Sequence, residues 1–393
     1  MAADDLLLDD EPERDDRILP IDQASLRHRL AYLNPRSVHR ATLALLGEGR
    51  QEFRFRANVF PNVAYDCLVT PQPTVNAYDL FEGKVRGDEY SRVVMTKRGG
   101  LMTVDIWTDD REFQIVPVGD DLYLVEEVNL RAEPDCASRK KHRSSRRQKQ
   151  SDGEDDEVEE PRMRRSITPV TITVLVIYES SVVRQAGSVA AAERAIDLMV
   201  ANLNAALRAS LTGTGVAVEV QLLGPLQHDF PSLSSSHCTA WTQLRASTLV
   251  QRWRRDMKAD LVSIIRVTQA RSCAACLQTV GGNASSAFSS VEFSQARARH
   301  SFAHELGHNL GCPHDIDNAD CIGINPNRRT GIHWGYHFLV GRQEYGTLMS
   351  YPGIRILQYS NPNVSYRGVP TGKATANNAA AIAKTAANIA RYR

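Results

Sequence analysis

Residues 304–315 read His304-Glu305-Leu306-Gly307-His308-Asn309-Leu310-Gly311-Cys312-Pro313-His314-Asp315, and no other stretch restricts the chain so tightly. On a helix His304 and His308 fall one turn apart on the same face, where both imidazoles can reach one metal ion. A glycine at 311 lets the backbone leave that helix through angles that a side chain resists. The chain can then turn back so that His314 approaches the same ion from another direction. Three neutral imidazoles leave the fourth tetrahedral position of a Zn2+ ion open to water, which marks a reactive site rather than a closed structural one. Glu305 is not a ligand in this scheme. It sits beside the bound water, where a carboxylate can take a proton and pass it on.

The surrounding segment, 167–393, alternates strand and helix patterns. Ile172 to Tyr178 is a run of Val, Ile and Leu that reads as a buried strand, and Val189 to Arg208 reads as a helix with Ile196, Met199, Val200, Leu203 and Leu207 on one face. A strand over Val216 to Leu223, a helix near Leu244 to Lys258 and a strand over Asp260 to Val267 follow. That β-α-β-α-β order implies an α/β (α+β) fold with a mostly parallel twisted sheet. Phe288 to Phe293 reads as the last strand before the motif helix. Beyond His314 the chain is loop-rich, and the spacing of Asp315, Asp317 and Asp320 fits no EF-hand. Ala376 to Tyr392 is a closing helix.

Upstream, the first twenty residues carry no clear structural signal, and strands dominate after about Arg50. Glu52 to Val59 alternates Phe and Arg, Ser91 to Thr96 and Leu101 to Thr108 flank a Gly99-Gly100 turn, and Glu112 to Val118 and Leu122 to Val128 complete a small β-rich domain over 1–132. Arg86-Gly87-Asp88 reads as a turn. Residues 133–166 hold a basic run, Arg139 to Lys149, beside an acidic one, Asp152 to Glu160, with almost no apolar residue. Such a stretch buries no core and reads as a solvated, disordered linker. With 393 residues, 42% of them hydrophobic, the chain can support two cores, and a net charge of +1 implies neither a nucleic acid nor an acidic membrane as partner. No apolar run is long enough for a membrane span, and Leu6-Leu7-Leu8 is too short for a signal-peptide core. Either a leader has been removed or export is unconventional.

Seven cysteines cannot all pair within one chain. Cys312 and Cys321, on the loop carrying His314, read as a bridge that would pin that ligand. Cys273 and Cys276 form a CxxC that is redox-active, metal-binding or, with no second CxxC beside it, a partner for Cys238. Cys67 and Cys136 form a bridge or leave a thiol with a task.

The long histidine motif, together with Thr347-Leu348-Met349-Ser350-Tyr351 downstream, resembles the metzincin zinc endopeptidases, whose second mark is a Met-turn. The resemblance implies that Met349 lies under the zinc ligands as an apolar floor and that Tyr351 touches the metal or hydrogen-bonds the tetrahedral oxyanion, as in astacins and serralysins. Asp315 after the third histidine resembles the reprolysins instead. From about Thr171 onward, through VLVIYESSVVRQAG, ADLVSII and GTLMSYPGIRILQYSNPNVSYRGVPTG, the chain is similar to the reprolysin-like secreted metallopeptidases related to the peptidyl-Asp metallopeptidases. Those relatives usually carry a cysteine just before the active-site helix, and Val291 to Ser301 has none. Cys276 to Val280 occupies the place of the antiparallel edge strand on which metzincins lay substrate. FEGKVRGDEYSRVV and the strands after it resemble a reprolysin propeptide, which implies a pro-domain acting as the enzyme's own inhibitor.

The resemblance implies a zinc metalloendopeptidase acting on protein or peptide substrates, secreted as a latent precursor. Arg162-Met163-Arg164-Arg165-Ser166 resembles a convertase processing site, so in a eukaryotic source cleavage after Arg165 would release the enzyme, and in a bacterium the same exposed linker could be cut by the enzyme itself or by another protease. Cys136, just before the linker, is the candidate thiolate that occupies zinc's open position until then, with a structural bridge as the alternative. Arg355, soon after Met349, is the candidate pocket cation for an acidic side chain, against a surface arginine as the plain reading. The rival function is a catalytically silent binding protein of the same fold, which the intact Glu305 argues against.

Overall fold

The computed structural model describes residues 4–8, 25–46, 52–119, 122–131, 169–268, 270, 272–274, 284–318 and 333–392. The linker with Arg165, Cys136, Cys276 to Val280 and Cys321 lie outside them.

The N-terminal half is built on one sheet. Its elements are β1 (Asp4–Asp5), β2 (Ser25–Tyr32), helix α1 (Pro35–Leu46), β3 (Phe53–Phe60), β4 (Val63–Gln72), β5 (Asp79–Val85), β6 (Arg92–Arg98), β7 (Leu101–Trp107), β8 (Glu112–Pro117) and β9 (Leu122–Val128). They pair in the order β1-β3-β4-β5-β6-β7-β8-β9-β2, antiparallel throughout except for β1 on β3. The start of the chain belongs to this fold: Leu6 and Leu7 are buried, and Asn58 holds Leu7 through both its backbone N–H and its carbonyl at 3.0 and 2.9 Å. β3 buries Phe53, Phe55 and Ala57 and turns Arg54 and Arg56 outward, as period-2 alternation requires.

Both faces of this sheet are covered. Val93, Met95, Val104, Ile106, Phe113, Ile115 and Val125 pack with Phe55 and Ala41 in one core. Val94, Trp107, Val116 and Leu124, on the opposite face, share a second core with Ile196, Leu203, Phe302, Leu306 and Met349 from the C-terminal half. The alternate positions of β6 to β9 therefore meet another part of the chain instead of water.

The C-terminal half contains β10 (Val170–Tyr178), α2 (Ser180–Ala186), α3 (Val189–Ser210), β11 (Val218–Gln227), α4 (His237–Ala246), α5 (Thr248–Asp256), β12 (Leu261–Arg266), β13 (Cys273–Ala274), β14 (Phe288–Glu292), α6 (Phe293–Ala298), α7 (Ser301–Asn309), β15 (His337–Val340), β16 (Gln343–Gly346), β17 (Ile354–Arg355), a short hairpin β18 (Ser365–Tyr366) and β19 (Val369–Pro370), and α8 (Asn378–Ile389). Its five-stranded sheet runs β11-β10-β12-β14-β13, with three parallel pairings and an antiparallel β13. The molecule is thus mixed α/β, and its larger sheet is the antiparallel one. Residues 244–258 do not form the single helix expected. Ser247 adopts extended backbone, ends α4 and caps α5 by accepting from the Val250 N–H, because a serine oxygen competes well for a free helix-start donor.

Candidate metal centre

Helix α7 carries the first two histidines of the motif. Every residue from Ser301 to Asn309 is buried, and Asn309 ties the helix to the neighbouring strand by donating to the carbonyls of Ser286 and Phe288. Gly311 then takes a φ of +96°, the left-handed conformation that glycine adopts without penalty, and the chain reverses toward His314.

The three imidazoles converge. His314 Nε2 lies 3.1 Å from His304 Nε2 and 2.9 Å from His308 Nε2. Each ring is fixed from behind by a carbonyl oxygen: Leu348 O lies 2.7 Å from His304 Nδ1, Cys312 O 2.8 Å from His308 Nδ1 and Asn318 O 3.2 Å from His314 Nδ1. A carbonyl can only accept, so Nδ1 carries the proton in each ring and every Nε2 presents a bare lone pair inward. Burial keeps the rings uncharged: it pulls His308 down to about 4, and it drives His304 and His314 well below the ordinary histidine value, assisted by the charges of the neighbouring histidines. Three acceptors facing one another cannot bond among themselves. They call for a cation, and nitrogens each ~2.0–2.1 Å from a tetrahedral zinc would stand roughly 3.3 Å apart, close to the observed spacing. The donor set and its carbonyl supports fit such an ion.

The segment after β16 closes the site from below. Met349 is fully buried, and its Sδ would stand 2.7 Å from a Cβ placed on Gly307, with Tyr359 Cε1 at 2.9 Å. Glycine is therefore needed at 307 to seat the helix on that sulfur and ring. Tyr359 also donates to the Ala303 carbonyl at 2.7 Å; nothing in the one-dimensional pattern singled out Gly307 or Tyr359. Asp315 joins the third histidine to the turn: its N–H donates to Met349 O at 3.2 Å, and its Oδ2 accepts from the Tyr351 N–H at 3.0 Å. The Tyr351 ring centre lies 4.8 Å from that of His314. Glu305 is fully buried on the same helix.

Three readings are corrected. Cys312 is a free, buried thiol whose nearest polar partner is the Asn378 carbonyl at 3.8 Å; the backbone carbonyls and Asp315, not a bridge to Cys321, pin His314. Arg355 is not a surface residue, being only 6% exposed. Its Nη1 donates to Arg299 O at 2.6 Å and its N–H to Leu130 O at 3.2 Å. Cys67 is likewise free and buried, which excludes its bridge to Cys136, whereas Cys238 is disulfide-bonded.

A second buried cluster stands at the start of α7. His300 Nε2 lies 2.7 Å from Glu112 Oε1 and 3.9 Å from Asp105 Oδ2. Gln114 and Asn202 donate to these carboxyls, and Arg297 pairs with Glu126. The sequence offered one signal for it, a histidine four residues before His304; nothing marked its partners, some 190 residues away in the chain.

Residues 168–352 match the reprolysin-type profile described as metallo-peptidase family M12. A peptidyl-Asp metalloendopeptidase of Stenotrophomonas maltophilia strain R551-3 is 28% identical over 364 residues, covering 89% of this chain and 82% of that protein. Its counterpart in strain K279a is 26% identical over 367 residues with the same coverages, 89% and 82%. A peptidyl-Asp metalloendopeptidase of Xanthomonas campestris pv. campestris is 39% identical over 119 residues, 29% of this chain and 27% of that one.

Proposed function

We propose that this chain is a reprolysin-like metalloendopeptidase, as its likeness to family M12 and to the peptidyl-Asp metalloendopeptidases supports, and that it is zinc-dependent, cuts beside acidic residues, and is exported as a latent precursor activated by cleavage near Arg165. The observation that carries the zinc reading is the convergence of three uncharged Nε2 atoms whose Nδ1 protons are all spent on carbonyls. Bound there, zinc supplies Lewis acidity, polarising the scissile carbonyl and making water a nucleophile near neutral pH.

The remaining roles belong to the chain. His304, His308 and His314 hold the ion. Glu305, between the first two on α7, takes the proton of the attacking water and returns it to the departing amine. Tyr351, beside His314, donates its hydroxyl to the developing oxyanion, and Met349 under Gly307 keeps the helix at a fixed depth. Arg355 stands at the start of α7, its Nη1 donating to Arg299 O at 2.6 Å, and a guanidinium in that place suits a carboxylate side chain. Latency has support in the cover that β6, β7 and β8 place over α3 and in the side chains that β8 and β9 bring to Arg297 of α6.

The test is proteolysis of a mixed peptide library by the chain cut in the linker, with and without chelator, beside Glu305→Gln. Cleavage next to Asp, abolished by chelator, restored by Zn2+ and reduced about 10²–10⁴-fold by Glu305→Gln, is the expected result. Folded, zinc-loaded protein that cuts nothing would return the chain to the silent binding protein.

A further inference from the structure

Asp105, Gln114 and Glu126 lie directly opposite one another on β7, β8 and β9, and Glu112 is two residues along on the same face. All four are completely buried. Carboxyl groups side by side on a sheet face repel, and burying them without an answering charge is costly. An N-terminal half folding for itself would not place its acids so. The answer comes from the other half: Arg297 of α6 meets Glu126, His300 meets Glu112 at 2.7 Å, and Arg355 stands beside His300, its Nη1 donating to the carbonyl of the preceding residue, Arg299, at 2.6 Å.

His304 N–H donates to His300 O at 3.0 Å, so the acids sit about one helical turn from the metal centre. His300 itself is held at a φ of +52°, a conformation that costs a non-glycine residue energy and persists only where its surroundings over-determine it. Here those surroundings come largely from the N-terminal half, with the Trp107 ring 4.6 Å from the imidazole and Leu130 O accepting from the Arg355 N–H at 3.2 Å.

We infer that Asp105 and Glu112 stand in for the acidic side chain of a substrate: the N-terminal half keeps the enzyme inactive by filling, with its own carboxyl groups, the acid-reading place formed by His300 and Arg355. This rests on the proposed acidic preference. It adds that the inhibitor and an Asp-containing peptide compete for one place, so that linker cleavage alone leaves the N-terminal fragment bound until such a peptide displaces it.

The experiment uses the full chain nicked in the linker, with fragment retention followed by size exclusion and activity by peptide cleavage. Wild type should keep its fragment, release it to excess of an Asp-containing peptide and ignore the same peptide with Leu for Asp. The isosteric double variant Asp105→Asn/Glu112→Gln, checked for unchanged melting before nicking, should lose the fragment and gain roughly tenfold or more in initial activity, because His300 loses both of its acidic partners. Glu112→Gln alone, which keeps the Asp105 carboxyl group, should retain its fragment. A double variant that holds its fragment as wild type does, or displacement by both peptides equally, overturns the inference. Retention is read without turnover, so an inactive enzyme in every form would sink the proposed function and leave this result standing separately.

Discussion

Helix α7 carries two buried histidine clusters one turn apart, and they meet the cost of burial in opposite ways. In the first, His304, His308 and His314 spend their protons outward on carbonyls and leave three lone pairs facing inward. In the second, His300 faces carboxyl groups that already receive hydrogen bonds from Gln114 and Asn202. The first is incomplete as protein and asks for an ion. The second is completed by a distant part of the chain. Two equally buried sets of metal-ligating residues thus differ in what their outer hydrogen bonds leave unspent, which composition of the cluster alone does not reveal.

The sharpest way to break this contrast is to remove one histidine from each set. His308→Ala should lose tightly bound zinc and all measurable proteolysis, whereas His300→Gln should still bind one zinc per chain by metal analysis after dialysis. Equal zinc loss in both would merge the clusters into one site. A smaller effect is expected at Gly307, where a methyl group would press on Met349 Sδ and Tyr359. Gly307→Ala should cost about 1–3 kcal/mol of stability, read by denaturant unfolding, and a neutral result would remove Met349 from beneath the helix.

The smallest effect concerns pH. Burial, and for Asp105 the adjacent Glu112, holds both carboxyls well above the ordinary range; Gln114, Asn202, His300, Arg355 and Glu126 face them. A raised carboxyl value means that the docked state keeps a proton that separation releases. That contribution is full below the ordinary carboxyl value and is lost as pH rises through the raised one. Burial pulls His300 the other way, from 6.5 to about 4, so its contribution is present above 6.5 and is lost as pH falls through about 4. The two oppose each other in the acid range, and above 6.5 only the carboxyl effect remains. Fragment retention in the nicked wild type should therefore weaken as pH rises above 6.5, and the slope should flatten in Asp105→Asn/Glu112→Gln. Identical slopes would remove the carboxyl pair from the account.

Much of the C-terminal half was legible along the chain because its signals are local. The apolar face of α3 from Ile196 to Leu207 and the Val/Ile/Leu runs of β10 and β12 repeat at the period of the element they form. β4, β5 and the β15–β16 hairpin lacked such patterns: β4 buries only Cys67 and Val69 fully, and β15 exposes Leu339. Their pairing is decided by neighbouring strands. The helix expected over 244–258 was split by a single serine whose capping bond outweighs the continuing helical pattern.

By itself the sequence determined the histidine constellation, since His304, His308, Gly311 and His314 are fixed by helix periodicity and by one glycine that can take a φ of +96°. It also determined that a Met-bearing turn follows. Only the tertiary structure decided that Gly307 rests on that methionine, that Arg355 is buried and not at the surface, that Cys312 is a free thiol, and that Asp105 and Glu112 meet His300. The physical reason is range: a spacing of three or four residues is written in the backbone geometry of a helix, whereas a carboxyl group and an imidazole 188 positions apart come together only when two packed halves bury the polar face of a sheet between them.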